Sequence, residues 1–270
     1  MKVKEAVVNK TVAQIYLQPS KTSEMADEAI YGMVVELDKE LQEGWYYIKT
    51  KYDYEGYMHI DDLYLNFESI LAWKEKAHHE ICHNVVDVMS SPSYKGYQLK
   101  LLVRGSLVKS LDERKDNWSK ISLVDGTTGW VRQEFLKVVT VTRDQDEDRL
   151  RKSLVDTALK YLNTQYRWGG RSPLGIDCSG LCSISYLLNG ITIYRDAKLK
   201  DKYLRPIPME EVKGGDLLFF PGHVAMYIGE GKFIHSSASI NGVNINSLNQ
   251  EDSDYREDLK DQLYAIGTIF

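Results

Sequence analysis

The fold of the C-terminal part of the chain depends on one glycine-rich stretch, Tyr166-Arg-Trp-Gly-Gly-Arg-Ser-Pro-Leu-Gly-Ile-Asp-Cys-Ser-Gly180, which leads into the apolar run 181–188. Asp177 is a residue type favoured at N-caps, so the sequence predicts a helix with Cys178 in its first turn. The unpaired N–H groups and the dipole of that turn favour a thiolate over a thiol. Cys178 is therefore a candidate nucleophile, although many free cysteines are small buried residues with a packing role.

Two histidines further along the chain supply the partners that a cysteine nucleophile needs. Strands are predicted at 216–220, 223–228, 232–236 and 263–270. A helix is predicted from Glu147 to about Asn163 by the spacing of its apolar residues. A cysteine-bearing helix packed on an antiparallel sheet that carries histidines is a papain-like α+β arrangement. We expect His223 to be the base and His235 to orient it, whereas either histidine alone would equally suit a backbone-bonded strand end.

The turn between the two histidine strands decides whether the rings can meet, because side chains alternate faces along a strand. With the two-residue loop Glu230-Gly231 and unbroken pairing, the two rings would face opposite sides of the sheet. With the three-residue loop 229–231, His235 falls opposite Ala225, a small residue on the face of His223. We therefore predict a three-residue connection, or an equivalent bulge, with both rings on the face that meets the nucleophile helix.

Composition places the chain among globular proteins and excludes several classes of function. It has 270 residues, of which 43% are hydrophobic and 27% are charged. A net charge of -5 gives no electrostatic case for binding nucleic acid or an anionic membrane. Three cysteines make a disulfide framework improbable, and no apolar run is long enough to span a bilayer.

The N-terminal half reads as a duplicated all-β barrel. Residues 6–66 contain short strand-like segments at 12–16, 33–37, 45–49 and 56–60. Residues 84–140 repeat them at an offset of 73 residues, with the matched pairs Trp45 and Trp118, Ile48 and Ile121, Gly56 and Gly129, Tyr57 and Trp130, Met58 and Val131, and Leu63 and Leu136. So many apolar and glycine matches in one register indicate two copies of one small domain.

The segments between these parts are predicted to be connectors. Residues 67–82 look helical and are expected to lie on the surface of the second barrel. The spacing of His78, His79, Cys82 and His83 fits no structural zinc pattern well, so a solvated helix end is favoured over a metal site. Residues 140–147 are charged and turn-rich, and are expected to form a linker.

Residues 148–270 resemble the NlpC family of bacterial cell-wall cysteine peptidases. The matching motifs are 166–170, 177–180, 215–217, 223–229 and 233–235. The whole chain resembles the YkfC branch of that family, in which two SH3-like domains precede the peptidase. The resemblance implies an SH3-like barrel at 1–66 that shapes the substrate groove, a helical connector and second SH3-like barrel at 67–140, and a papain-like peptidase domain at 141–270.

The resemblance also implies a reaction and a set of site residues. The branch cuts between γ-D-glutamate and the diamino acid of murein stem peptides that have a free N-terminal L-alanine. Cys178, His223 and His235 match the catalytic positions. The substrate positions fall on Tyr166 near the oxyanion, Ser179 at the γ-D-glutamyl part, Asp196 at the α-ammonium, Trp168, and Glu24 and Tyr57 of the first barrel. Asp27 and Glu28 lie close to Glu24 in sequence and compete for its role.

Three other functions remain open at this stage. They are a secreted endopeptidase with wall-targeting barrels, a non-catalytic wall-peptide binding protein, and an amidase or acyltransferase with the same Cys–His fold. We expect a monomer with no cofactor or metal that acts on murein peptides in the cytoplasm. A chain from which a signal peptide had been removed would look the same. The third stem residue, lysine or diaminopimelate, is not determined by the sequence.

Overall fold

The computed structural model describes residues 4–139 and 146–270. The chain divides into two compact units, Met1–Val139 and Thr140–Phe270. Most of the predicted linker, residues 140–145, lies outside the described residues. No helix in the described ranges is long and apolar enough to cross a membrane.

The first unit begins with a seven-stranded barrel sheet. Strands β1–β7 span Glu5–Val8, Val12–Tyr16, Met25–Ile30, Val34–Glu40, Trp45–Thr50, Glu55–His59 and Leu63–Tyr64. They pair in the order β3-β2-β6-β5-β4-β1-β7. Alternate residues such as Ala13, Ile15 and Ile48 are fully buried in one apolar cluster, as the period of a strand requires.

The connector helix is shorter and more buried than predicted. Helix α1 spans Phe67–Lys76, so the predicted end at residue 82 is wrong. Its Ile70 and Trp73 are buried in a core cluster that contains residues of both barrels, and the Trp73 indole donates to the Gly32 carbonyl at 3.0 Å. The prediction of a surface connector is therefore wrong, because this helix fills the core that the two barrels share. The residues after it extend because they pair with two strands of the second barrel.

The second barrel repeats the first in every strand. Strands β8–β14 span His79–Ile81, Val85–Met89, Gln98–Val103, Leu107–Lys115, Trp118–Ser122, Thr128–Arg132 and Leu136–Val138. Their order, β10-β9-β13-β12-β11-β8-β14, is the order of the first sheet with each strand replaced by its copy. Trp45 and Trp118 each begin the corresponding strand, and both are buried. The predicted duplication is confirmed.

The second unit is an α+β domain with one six-stranded antiparallel sheet. Its elements in chain order are α2 Glu147–Leu159, β15 Arg171–Ser172, β16 Gly175–Ile176, α3 Cys178–Leu187, β17 Arg205–Pro206, β18 Leu217–Phe220, β19 His223–Gly229, β20 Lys232–Ser237, β21 Gly242–Ser247, α4 Glu257–Gln262 and β22 Ala265–Thr268. The sheet order is β17-β22-β18-β19-β20-β21. Helix α2 ends earlier than predicted, and turns carry the chain on to Asn163, whose φ is 64°.

The two faces of this sheet are covered by different helices. Leu218, Phe220, Ala225 and Phe233 pack with Leu259 of α4. Alternate residues of the same strands point the other way, and Leu217, Phe219 and Val224 line one pocket with Cys182 of α3. The nucleophile helix therefore lies against the face opposite α4.

Candidate active site

The predicted start of the nucleophile helix is confirmed. The Asp177 side chain caps α3, with Oδ1 accepting the Gly180 N–H at 2.6 Å and Oδ2 accepting the Gly169 N–H at 2.8 Å. Gly180 is required here, because a Cβ at this position would lie 2.1 Å from the Gly170 carbonyl oxygen. The glycine-rich loop thus presses directly against the first turn of α3 and places Cys178 at its start.

The protonation state of Cys178 differs from the prediction. Burial, together with the charge of Asp177, raises the pKa of the Cys178 thiol to about 11, although Arg195 and two backbone N–H groups act to lower it. Only 8% of Cys178 is exposed. The expected thiolate is therefore wrong for the ligand-free protein, because desolvation outweighs the helix N-terminus.

The hairpin that carries the histidines has a two-residue turn and a bulge. Gly229 pairs with Lys232, so the loop is Glu230-Gly231, with φ values of 54° and 74°. The connection is therefore two residues long rather than three, and the prediction is met through its alternative, an equivalent bulge. The register shifts between Tyr227 and Gly229, and this bulge is the equivalent that was expected. It returns both histidines to one face.

The two histidine rings are within hydrogen-bond distance of each other, and the prediction that they meet on one face of the sheet is confirmed. His223 Nε2 lies 2.8 Å from His235 Nδ1, and the ring centroids are 5.0 Å apart. His223 pairs with Phe220, so both rings lie on the α4 face of the sheet. The predicted face, that of the nucleophile helix, is therefore wrong.

The start of α3 contacts β19 next to the first histidine. The last pair between β19 and β20 is Met226 with Ile234, and beyond it the Val224 N–H is hydrogen-bonded to the Cys178 sulfur. Val224 is the residue after His223 in the chain. The start of α3 thus meets the strand end that carries the first histidine.

His235 is fully buried and His223 is half-buried, and both are neutral at physiological pH. Burial lowers the pKa of His223 to about 3, and the nearby His235 and Arg256 lower it further than burial alone. Burial lowers the pKa of His235 to about 4, against a hydrogen bond to Asn246 that favours its charged form. Thiol and imidazoles are therefore all uncharged in the resting site.

Asn246 is a site residue that sequence reasoning missed. Its Oδ1 lies 2.9 Å from His235 Nε2, and its Nδ2 donates to the Asp254 carbonyl at 3.0 Å. Strand β21 brings it there, since Asn244 of that strand pairs with His235 and Asn246 is the next residue on the same face. No motif in the sequence marks Asn246, because its contact with His235 depends on the register between β20 and β21.

Arg195 is a second missed residue. It is 1% exposed, and its guanidinium binds Asp177 through both nitrogens at 3.0 and 3.1 Å. It also donates to Ser179 Oγ at 2.7 Å. Arg195 directly precedes Asp196 in the sequence, but the sequence argument assigned a role only to Asp196. Its contacts hold the helix cap and the predicted substrate serine together.

The structure places the predicted substrate residues of the second unit in two groups. Ser179 and Asp196 line one pocket with Tyr194, whose hydroxyl is hydrogen-bonded to the Asp196 carboxylate. Tyr166 lies near Cys178, and burial with that neighbour raises the pKa of the Tyr166 phenol to about 12. Trp168 is 62% exposed.

The two predicted residues of the first barrel differ in burial. Glu24 is exposed, whereas its rivals Asp27 and Glu28 are buried, and Asp27 accepts the Tyr52 hydroxyl at 2.6 Å. Tyr57 is half-buried, with its ring 5.0 Å from that of Tyr47. No three His, Cys, Asp or Glu side chains within residues 4–139 and 146–270 form a group that could hold a metal.

Comparisons with known sequences match all three parts of the chain. Residues 163–257 match the NlpC/P60 family, residues 84–137 match the bacterial SH3 domain, and residues 15–63 match the bacterial dipeptidyl-peptidase Sh3 domain. The sequence is similar to dipeptidyl-peptidase 6 of Lysinibacillus sphaericus, with 39% identity over 269 residues, which cover 98% of this chain and 99% of that protein.

Two further proteins are similar to the chain. The gamma-D-glutamyl-L-lysine dipeptidyl-peptidase of Bacillus subtilis (strain 168) is 32% identical over 151 residues, 53% of this chain and 49% of that protein. The crystal structure of an NlpC/P60 family protein from Bacillus cereus ATCC 10987 has the same fold, with a TM-score of 0.81 at 20% identity over 98% of this chain and 99% of that one. The full-length match and the three domain matches lead to one conclusion. The chain belongs to the NlpC/P60 family of cysteine peptidases, with two bacterial SH3 domains before its peptidase domain.

Proposed function

We propose that the protein is a dipeptidyl-peptidase that cuts the γ-D-glutamyl–diamino acid bond of murein stem peptides with a free N-terminal L-alanine. It would release L-Ala-γ-D-Glu. The observation that carries the proposal is that Asp196 lines one small pocket with Ser179, the residue that follows the nucleophile in the chain. The relatives named as dipeptidyl-peptidases support it, one of them over the whole chain.

The Asp196 carboxylate suits the α-ammonium of such a substrate. It is half-buried and accepts a hydrogen bond from Tyr194, and so retains capacity for a cationic partner. The sequence argument assumed a buried carboxylate, for which loss of the partner costs about 2–5 kcal/mol. Because Asp196 is half-buried, solvent screens part of that cost, and we expect discrimination of about 10- to 100-fold against acylated substrates.

The resting site sets the order of proton transfers. Cys178 is a thiol and His223 is neutral, so attack on the γ-carbonyl carbon is coupled to transfer of the thiol proton to His223. The tetrahedral intermediate collapses to a thioester as the imidazolium gives its proton to the departing amine. His223 then takes a proton from water, whose oxygen attacks the thioester, and returns it to the departing sulfur. This step releases the dipeptide with a new carboxylic acid and regenerates the Cys178 thiol.

Tyr166 is suited to bind the oxyanion that forms in both steps. The raised pKa of its phenol, about 12, keeps the hydroxyl protonated at physiological pH. A protonated hydroxyl donates a hydrogen bond to a developing negative charge. We assign Trp168, whose ring is largely exposed, to the wall of the substrate groove.

The roles of Glu24 and Tyr57 stay predictions from the resemblance, which implies that such residues close the subsite around the N-terminal alanine. Among Glu24, Asp27 and Glu28, only Glu24 has an exposed side chain. A closed subsite favours short, released peptides over intact cell wall. We therefore propose a role in recycling murein peptides, as a cytoplasmic monomer.

Product analysis of matched peptides tests the proposal. L-Ala-γ-D-Glu-L-Lys, its diaminopimelate analogue and their N-acetylated forms are incubated with the enzyme, and products are identified by mass. We expect L-Ala-γ-D-Glu to form from the free-amine peptides about 10- to 100-fold faster than from the acetylated forms. Asp196→Asn should remove the preference for the free amine, whereas Asp201→Asn, at an exposed position of the same segment, should keep it. Equal rates on free and acetylated peptides, or release of long fragments from intact peptidoglycan, would instead indicate the endopeptidase.

A further inference from the structure

The contacts of Asn246 extend the histidine pair into a chain of three linked side chains. Asn246 Nδ2 donates to the Asp254 carbonyl oxygen, which can only accept, and this fixes the orientation of the amide. Asn246 Oδ1 is therefore the atom that faces His235 Nε2 at 2.9 Å. A carbonyl oxygen accepts but does not donate, so the proton must lie on His235 Nε2.

The tautomer of His235 then determines that of His223. A neutral imidazole carries one proton, so His235 Nδ1 has a lone pair. His223 Nε2 lies 2.8 Å from that lone pair and must supply the hydrogen. The proton of neutral His223 is therefore on Nε2, and its basic nitrogen is Nδ1.

We propose that Asn246 is a positioning residue that sets the tautomers of both histidines, so that His223 presents Nδ1 as the base. Only the predicted changes in catalytic rate rest on the proposed function; the assignment of the tautomers does not. The base nitrogen must be unprotonated to take the thiol proton, and in the other tautomer Nδ1 would carry a hydrogen and could not accept one. The amide has this effect without adding a charge to the buried pair.

The groups around His223, His235 and Asn246 are consistent with hydrogen bonds between uncharged side chains. The charged groups that act on both histidines are Arg256 and Asp258, and these two pair with each other at 2.6 Å. Phe220 and Phe233 pack against the rings from the neighbouring strands. The Asp254 carboxylate forms an ion pair with Lys232 at 3.2 Å, and this fixes the position of the residue whose carbonyl accepts from Asn246.

Two substitutions separate positioning from a purely structural role. Asn246→Ala and Asn246→Asp both remove the N–H donor to the Asp254 carbonyl, so neither variant keeps that structural contact. Only the Asp variant keeps an acceptor for His235 Nε2. We expect Asn246→Ala to lower kcat by about 10- to 100-fold, since tautomer errors are costly in such sites. We expect Asn246→Asp to retain more activity, with the acid limb of kcat/KM moved up by about 1–3 pH units because the carboxylate favours imidazolium.

The tautomers themselves are read by nitrogen-15 NMR of the imidazole rings in the ligand-free protein. The expected result is Nε2–H on both histidines in the wild type and in Asn246→Asp, and a mixture in Asn246→Ala. Asn244→Ala, on the same strand and directly opposite His235, should leave the tautomers unchanged. A wild-type His235 protonated on Nδ1, or equal losses in the Ala and Asp variants, would overturn the proposal. The NMR measurement needs no substrate. It therefore tests the tautomers even if the proposed substrate specificity is wrong.

Discussion

The two sides of the candidate active site are held together by opposite kinds of interaction. On the helix side, the Asp177 carboxylate and the Arg195 guanidinium form a buried ion pair that also binds Ser179. On the hairpin side, His223, His235 and Asn246 are joined by hydrogen bonds between uncharged groups. Asp177, Arg195 and His235 are almost fully buried, whereas His223 and Asn246 are half-buried.

This difference follows from what each side has to do. The helix side must stay fixed, and a bidentate ion pair gives a rigid, directional anchor. The hairpin side must accept and release a proton, which a permanently charged partner would oppose by trapping the imidazolium. Burial therefore has a different effect on each side. It strengthens the ion pair that holds the helix side rigid, and it sets the proton affinity of the histidines on the hairpin side.

The largest effect is expected from removing the thiol that lies between the two sides. Cys178→Ala should lower kcat by about 10⁴-fold or more, because the nucleophile is lost, while unfolding stays near that of the wild type. Initial rates on the free-amine peptide measure the effect. Cys182→Ala, one helical turn further on and also buried, is the matched control and should keep most of the activity. Alkylation that modified Cys182 and spared Cys178 would contradict the assignment.

Breaking the ion pair should affect stability more than any change on the hairpin side. Arg195→Ala leaves the Asp177 carboxylate uncompensated in a buried site, which costs about 3–5 kcal/mol of the free energy of unfolding. Chemical denaturation followed by fluorescence measures it. The control is Lys152→Ala, which removes an exposed pair with Asp156 and should cost less than about 1 kcal/mol. Similar losses in the two variants would show that the buried pair is not an anchor.

The histidines of the hairpin side should make the stability of the protein depend on pH. The pKa of His223 is about 3 in the folded protein, below the ordinary value of 6.5, so the unfolded chain takes up a proton first as the pH falls. Stability should therefore fall between about pH 6.5 and pH 3, and His235 acts in the same direction. The melting temperature of His223→Gln should fall less steeply over this window. His83→Gln, at an exposed position of the second barrel, should keep the wild-type slope, and a matching slope in His223→Gln would remove the buried histidine as its cause.

The smallest effect is expected at the rim, outside both sides. Trp168→Ala should raise KM less than about tenfold and leave kcat unchanged, since a largely exposed ring adds binding area without touching the reacting atoms. Steady-state kinetics with the free-amine peptide measure both constants. Tyr264→Ala, another exposed aromatic of the same unit, provides the control. A large fall in kcat would place Trp168 in the chemistry rather than at the rim.

Local sequence determined much of this protein. The helix start at Cys178 was predictable because a capping aspartate acts within three residues, and its cap is observed. The duplicated barrels were predictable because a repeat preserves apolar spacing, and all seven strands recur in the same order. The bulge between the histidine strands followed from side-chain alternation, although its position and the two-residue turn did not.

Other features depended on contacts that form only when the strands and loops are assembled. Asn246 meets His235 only because β21 pairs with β20, and Arg195 reaches Asp177 from a loop beyond α3. The connector helix became core rather than surface because both barrels close over Trp73. Cys178 is a thiol, contrary to the helix-dipole argument, since the degree of burial is decided by the whole fold. Capping, repeats and strand alternation act over a few residues and can be read from sequence, whereas desolvation and long-range hydrogen bonds exist only once the chain is folded.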